Sequence, residues 1–450
     1  MAKTKFLIRL ISAYFKHFRW IFFLGIIFGF LLFFVIKFIL PSINQGGTRK
    51  IGMVGRFTTN DLPEDILLLI GDGLTKMSDD GIPQPNLASS WETPDKGKTW
   101  IFRIKNDVYW HDNTKLISDN IIYDYTDVEI EKPDNKTLVF KLNEPFSPFP
   151  SVVSSPTFQK GLLGTSFWRV DNINLFGGYI QEITLISKSK DRLIYRFYPT
   201  LDATKLAFKL GKVDQIVNII DPDPFNSWNT SMVQESVARQ QVVVIFFNTQ
   251  DKHLSEKSLR QALIYSIDKN ILGERALSPI NPNSFAYNPQ VKPYDYNIDR
   301  AKELFSEFPE EIKKEIDIKL ITTPVLFKTA EKVVQDWQKV GIKSNVLVSS
   351  IIPSEYQAYL TILEIPKDVD QYPLWHSTQS DTNMSKFSNF RIDKLLEEGR
   401  VELDTDERRK IYLDFQRFLL EEAPAAFLYH PNFCLKKHPL LFYITPDTTL

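Results

Sequence analysis

A single cysteine, Cys434, occurs among the 450 residues, so the chain can form no internal disulfide. Its position near the C-terminus also excludes a lipid-modified cysteine directly after the N-terminal apolar stretch. Histidine is scarce as well. His17, His111, His253, His376, His430 and His438 are scattered without metal-ligand spacing, which gives no support to a metal site. There is no G-x-S-x-G elbow, no H-E-x-x-H, no phosphate-cradling glycine loop and no cysteine pair, so hydrolase, zinc-protease and nucleotide-binding readings lack a carrier. His111-Asp112 could be imagined as a base and its orienting acid. Acidic residues are absent from the first 40 positions, which hold six lysines and arginines. The whole chain carries −1, so the part after residue 40 carries −7. A mildly acidic body of this kind does not suit nucleic acid as a partner.

What is present begins with an apolar run. Trp20 to Leu40 is interrupted only by Lys37, and about 20 residues of helix cross a bilayer core. No small-residue cleavage site follows before Pro41, so the run reads as an uncleaved single-pass anchor rather than a signal peptide. Five basic residues precede it, which places residues 1–19 in the cytoplasm and the main body outside the cell membrane. Residues 41–47, rich in glycine and polar side chains, read as a tether. The rest is too long for one ordinary core, and its 43% hydrophobic content supports two or more lobes.

Within the body, Val242 to Phe247 is an unbroken apolar run and predicts a strand buried on both faces. Asn248 and Thr249 close it. Ser255 can then cap a helix carrying Leu259, Ala262, Leu263 and Ile267 on one face. Because α/β folds bind ligands outside the carboxyl ends of their strands, Asn248 and Thr249 become candidates for a ligand site or a hinge. Upstream, Ile66, Leu67 and Ile70 predict a short helix. Trp100, Phe102 and Ile104 share one face of a strand, and Ser118 can cap a helix starting near Asp119.

The order of motifs then resembles a known family. GLT at 73–75, the Asp79-Asp80-Gly81 turn, PNLASSWE at 85–92, KGKTWIFRIK at 96–105 and Trp110-His111-Asp112 are similar to the family 5 extracellular solute-binding proteins of ABC importers. The resemblance resumes at Thr137–Phe149, Asp191–Gln215, Phe247–Thr249 with the Arg260-Gln261-Ala262-Leu263 helix, Tyr294–Phe305, Gln335–Val346 and Phe387–Arg400, in order over about residues 54–445. Two departures stand out. About a dozen residues separate Tyr125 from Thr137, so one subdomain is trimmed, and Phe176-Gly177-Gly178-Tyr179 replaces a G-T-G-P-Y motif.

The resemblance implies an α/β, bilobal, periplasmic-binding-protein-like fold of the large three-subdomain class. Lobe I would comprise residues 48–247 with 427–450 and lobe II residues 249–425, the chain crossing near Asn248 and Ala426. It implies no enzyme activity and no cofactor. The expected partners are a peptide ligand and membrane permease subunits, with the binding protein itself a monomer. Lys367–Gln379, KDVDQYPLWHSTQ, resembles a segment whose aspartate faces the ligand ammonium in peptide-binding members; Asp370, then Asp368, inherit that role. A buried ammonium needs such a carboxylate, since unpaired it costs several kcal/mol of desolvation. Tyr372 and Trp375 would be flat apolar walls beside His376, and Asn248, Thr249, Thr58 and Thr59 would hold the ligand backbone. A solute-sensing receptor, a degenerate scaffold, or a binder of nickel or sugar on the same fold is the alternative.

Overall fold

The computed structural model describes Trp20 and residues 23–34, 47–228, 231–352 and 354–437, with side chains described as far as 432. Residues 23–34 form an exposed apolar helix. Among the described residues no helix is long and apolar enough to cross a membrane. Much of the Trp20–Leu40 run, residues 1–19 and most of the tether lie outside the described residues.

Two large sheets organise the body. The first has seven strands in the spatial order 232–237, 432–437, 215–219, 48–54, 192–198, 179–186 and 169–176. Thr48–Val54 pairs in parallel with both Arg192–Tyr198 and Gln215–Ile219, so these three strands share one carboxyl end. Their connection is the helix Leu201–Lys209, whose first turn is capped by the Thr200 hydroxyl accepting from the Ala203 amide. The helix Glu64–Ile70 buries Ile66 and Ile70 against Ile51, Ile183 and Leu193 of this sheet, as the spacing of its apolar residues predicts.

The second sheet has six strands in the order 274–275, 425–430, 241–247, 358–364, 317–322 and 343–348. Val242–Phe247 is fully buried at its centre. Val243, Ile245 and Phe247 face one core, completed by Trp337 and Leu263, and Val242, Val244 and Phe246 face another, completed by Trp375 and Tyr412. Burial on both faces is why the run shows no polar alternation. The following helix is Lys257–Tyr265 with Glu256 at its cap position, one residue later than Ser255 would set it. Leu259, Ala262 and Leu263 are buried as expected, and Ile267 is buried just past its end. Gly341, at φ +96°, closes the helix Phe327–Val340 in a conformation that favours glycine.

A third, four-stranded antiparallel sheet contains 88–92, 99–104, 137–142 and 128–134, with Trp100, Phe102 and Ile104 buried on one face. The helix expected after Ser118 is a single tight turn, Ser118–Asn120. The Ser118 hydroxyl donates to the Asp134 carbonyl instead of capping, and the buried Ile121 ties the short segment to the sheet.

The crossings between the large sheets differ from the expected ones. Gln241–Phe247 and Ala425–His430 both belong to the six-stranded sheet, while Met232–Val237 and Asn432–Lys437 belong to the seven-stranded one. The chain therefore crosses at residues 238–240 and at Pro431, not at Asn248 and Ala426. The Ala238 amide donates to the Pro431 carbonyl at 2.9 Å, so the two crossings lie side by side.

Candidate functional site

Strand direction decides which sequence candidates face the gap between the sheets. Gln241–Phe247 runs antiparallel to Ala358–Glu364, pairing Gln241 with Glu364 and Phe247 with Ala358. Asn248 therefore sits at the end of the sheet away from the crossings. There its side-chain amide donates to the Tyr356 carbonyl at 3.0 Å and its backbone amide to Gln357. The Thr249 hydroxyl donates to the carbonyls of Ser385 and Lys386. Both residues close the strand end, and neither is a hinge. The carboxyl-end rule applies to the parallel strands 317–322, 343–348 and 358–364, whose ends lie on the crossing side.

The segment after Glu364 does bring Asp368, Asp370, Tyr372 and His376 together, but it serves them with partners from the chain itself. Asp368 is a bidentate acceptor for Arg408, with Nη1 to Oδ2 at 2.9 Å and Nη2 on Oδ1, both side chains almost wholly buried. Burial works against the Arg408 charge, yet the adjoining Asp368 carboxylate holds its pKa above the usual value. Asp368 also accepts the Asp370 amide. Both oxygens of Asp368 are engaged within the chain, Oδ1 twice and Oδ2 once, and this pairing does not favour the ammonium role expected of it.

Asp370 accepts the Tyr372 amide at 3.0 Å and lies 3.3 Å from Arg400 Nε. Burial raises its pKa, and the Arg400 charge pulls it back down. The same guanidinium rests 4.2 Å over the Tyr372 ring, whose other contact is a stack on His376 at 4.0 Å. His376 bonds Thr378 through Nδ1 at 2.8 Å and Glu397 through Nε2 at 3.3 Å. Trp375 is fully buried against Phe246 and Phe427, a core side chain and not a ligand wall. This cluster is thus an ion-paired support beside the gap.

Groups overlooked in the sequence stand at the gap itself. Glu64 and Asp65 form the first turn of the helix Glu64–Ile70, on the seven-stranded side. Glu364 ends its strand on the six-stranded side, next to the crossing, where the Ile365 amide donates to the Gln240 carbonyl. Lys367 spans the two, its Nζ 2.6 Å from Glu64 Oε1. Restricted solvent, with Asp65 and Glu64 nearby, pushes the Glu364 carboxyl above its ordinary value, while a hydrogen bond from Gln241 works against the rise. Lys367 thus contacts Glu64 and acts on Glu364, with Asp65 also near Glu364. Thr58 and Thr59 lie in the loop leading into it. Thr58 is engaged with Asp61, and Thr59 is exposed with its hydroxyl 3.5 Å from the Asn60 side chain. The sequence signal available for Glu364 was its place as the one charged residue closing the apolar strand AYLTILE.

His111 holds the 109–114 turn: its Nε2 meets the Ser166 carbonyl at 2.8 Å and its amide donates to the Gly164 carbonyl. Among the described residues no group of three or more His, Cys, Asp or Glu side chains is arranged to hold a metal ion.

With two α/β sheets joined by paired crossings and a polar gap between them, the architecture is that of a two-lobed binding protein. The chain belongs to the bacterial extracellular solute-binding proteins of family 5, whose middle-region model matches residues 83–128 and 187–369, just over half of it. It is a substrate-binding component of an ABC importer and not an enzyme. Among curated relatives it is similar to the dipeptide-binding protein of Escherichia coli, 22% identical over 443 residues, spanning 77% of this chain and 80% of that protein. Among solved structures, NikZ of Campylobacter jejuni in complex with Ni(L-His) superposes with a TM-score of 0.71 at 20% identity, covering 87% of this chain and 94% of that one. The oligopeptide-binding protein AppA of Bacillus subtilis, in complex with a nonapeptide, does so at 0.69 and 20% identity, covering 88% and 95%.

Proposed function

We propose that the chain captures short peptides between its two lobes, closes about the paired crossings at residues 238–240 and 431, and delivers the ligand to a membrane permease. The observation that carries this reading is the carboxylate excess at the gap. Glu64, Asp65 and Glu364 lie near Lys367, and a peptide ammonium placed there would pair with Glu364, whose negative charge its surroundings disfavour. Exposed polar backbone in the Thr58–Asp61 loop supplies partners for ligand amides. Closure follows from differential affinity, the closed state offering both walls of the gap at once. The body works outside the cell, held by the Trp20–Leu40 run as a single-pass anchor with residues 1–19 in the cytoplasm, and as a monomer.

The test is native mass spectrometry of the full chain in a non-ionic detergent, followed by release and sequencing of what it carries. A ladder of short peptides, weakened at least tenfold by Glu364→Gln and insensitive to N-terminally free versus blocked status only when Glu364 is replaced, supports the reading. Equal affinity of the parent chain for free and acetylated peptides would overturn the ammonium assignment.

A further inference from the structure

A cavity of about 660 Å³ opens at the end of the seven-stranded sheet opposite the gap, at the amino ends of Thr48–Val54 and Arg192–Tyr198. Register brings its floor together. Thr48 pairs with Arg192, Arg192 with Ile186, and Ile186 with Arg169. The turn between the strands 179–186 and 192–198 adds Lys188 and Lys190, and the facing wall is the Tyr109–Asn113 turn with Thr165–Phe167.

Four of the lining side chains, Arg169, Lys188, Lys190 and Arg192, are cationic and none is a carboxylate. Arg192 has Asp171 at 3.7 Å, while Arg169, Lys188 and Lys190 are exposed and have no ion pair among the described residues. The nearby acids are occupied locally. Asp191 accepts from Ser189, Ser187 and the Gly47 amide, contacts that hold it below the usual carboxylate range, and Asp112 accepts from Thr114. Four cationic side chains line the cavity, with Asp171, Asp191 and Asp112 outside its lining, and a concave cationic wall focuses potential on an anion.

Its wall also contains an unused donor. Trp110 is 1% exposed, and among the described residues its indole Nε1 has no partner. An indole N–H can only donate, and an unmet buried donor costs about 1–3 kcal/mol, so a site with acceptor oxygens nearby is the chemistry that would relieve it. Tyr109 and Phe167, each more than half exposed, form an apolar rim.

We propose that this cavity binds a phosphate group, the chemistry shared by anionic phospholipid headgroups and soluble phosphate esters. Its location favours the headgroup, a clause that rests on the anchor reading above. Gly47 lies on the rim, its carbonyl accepting from the Arg192 amide, and the apolar run ends seven residues earlier, a length that reaches at most ~25 Å when extended. The cavity would then face the bilayer while the gap faces away from it.

The experiment uses the full chain in maltoside micelles, with inorganic phosphate and glycerol 3-phosphate titrated calorimetrically in one arm. In the other, native mass spectrometry counts phosphatidylglycerol and phosphatidylcholine retained from mixed micelles. Preferential retention of phosphatidylglycerol supports the headgroup source, and saturable binding of the soluble esters without lipid retention supports the soluble source. In either case Arg169→Glu with Lys188→Glu is expected to weaken binding at least tenfold, with peptide affinity unchanged. These two side chains are exposed, so the variant keeps the fold. Absence of both signals, or signals unaffected by the double variant, overturns the proposal without touching the peptide reading.

Discussion

Replacing Asp368 by alanine is expected to unfold the second lobe before it disturbs any ligand. The carboxylate and the Arg408 guanidinium form a two-bond pair with both side chains less than a tenth exposed, and Arg408 Nε donates further to the Gly399 carbonyl at 2.9 Å. Removing one member of such a pair leaves a charge in a medium that cannot solvate it, at a cost of about 3–5 kcal/mol. That corresponds to a loss of roughly 10²–10³ or more in the folding equilibrium. Replacing both members by apolar residues of similar volume is often neutral, so Asp368→Leu with Arg408→Met is expected to recover most of the loss. Urea unfolding followed by tryptophan fluorescence reads the change, since Trp375 packs in the same core. Peptide titration at urea concentrations well below the transition supplies the second axis. A variant Asp368→Ala that keeps its unfolding midpoint and loses its peptide would refute this account and restore Asp368 as the ligand's anchor.

Three further outcomes are expected. The Glu364 carboxyl is raised, so the unliganded folded state binds its proton more tightly than the unfolded chain; stability from this group is highest at low pH and declines as pH rises from the ordinary glutamate value through the raised one. An ammonium ligand favours the ionised form, so peptide affinity is expected to fall as pH drops through the raised value, and Glu364→Gln to flatten that profile in calorimetry. His430 is buried beside the crossing, with Nδ1 2.7 Å from the Gln241 carbonyl, and burial lowers its pKa. The unfolded chain therefore takes up the proton first as pH falls through about 6.5. Stability is lost from there downward, and hydrogen exchange at Gln241–Val243 is expected to quicken before that of the strand 99–104. Arg400→Ala removes the cation beside Asp370, and the already raised Asp370 pKa is expected to rise further, visible in carboxyl carbon shifts; no movement would show that Arg400 contributes little to the Asp370 field.

The fold was legible where a residue pattern had one physical cause. Val242–Phe247 suited a doubly buried strand, and the alternation at Trp100, Phe102 and Ile104 suited a half-buried one. The Asn248 hinge failed for a different reason. A run of apolar residues reveals burial but carries no sign of strand direction, and the antiparallel setting of 241–247 turned its carboxyl end away from the crossings. The ion pairing of Asp368 and Asp370 was not legible because their partners, Arg408 and Arg400, lie 40 and 30 residues downstream on helices whose packing no local spacing reveals. Glu64 and Glu364 were invisible as a pair because 300 residues separate them.

The contacts that span the gap bear on how readily it opens. Besides Glu64–Lys367, the Ser147 amide donates to the Arg400 carbonyl at 2.9 Å and the Phe285 amide to the Asp80 carbonyl at 2.9 Å. The latter two tie the segment 78–147 with its four-stranded sheet to the second lobe, and Arg400 reinforces the tie by lying 4.9 Å from the Phe146 ring. Each hydrogen bond is worth about 0.5–1.5 kcal/mol net, and the half-exposed ion pair less than ~1 kcal/mol. Polar contacts on that scale hold the lobes together by only a few kcal/mol, an amount a bound solute can match with its own differential affinity for the two states. Because the four-stranded sheet is bonded to the second lobe while its chain ends lead to the seven-stranded sheet, opening must either break these two backbone bonds or swing the smaller sheet with the second lobe. Hydrogen exchange at the Ser147 and Phe285 amides separates the two cases: fast exchange in the unliganded protein that slows with peptide means the bonds break on opening, and slow exchange in both states means the smaller sheet travels with the second lobe.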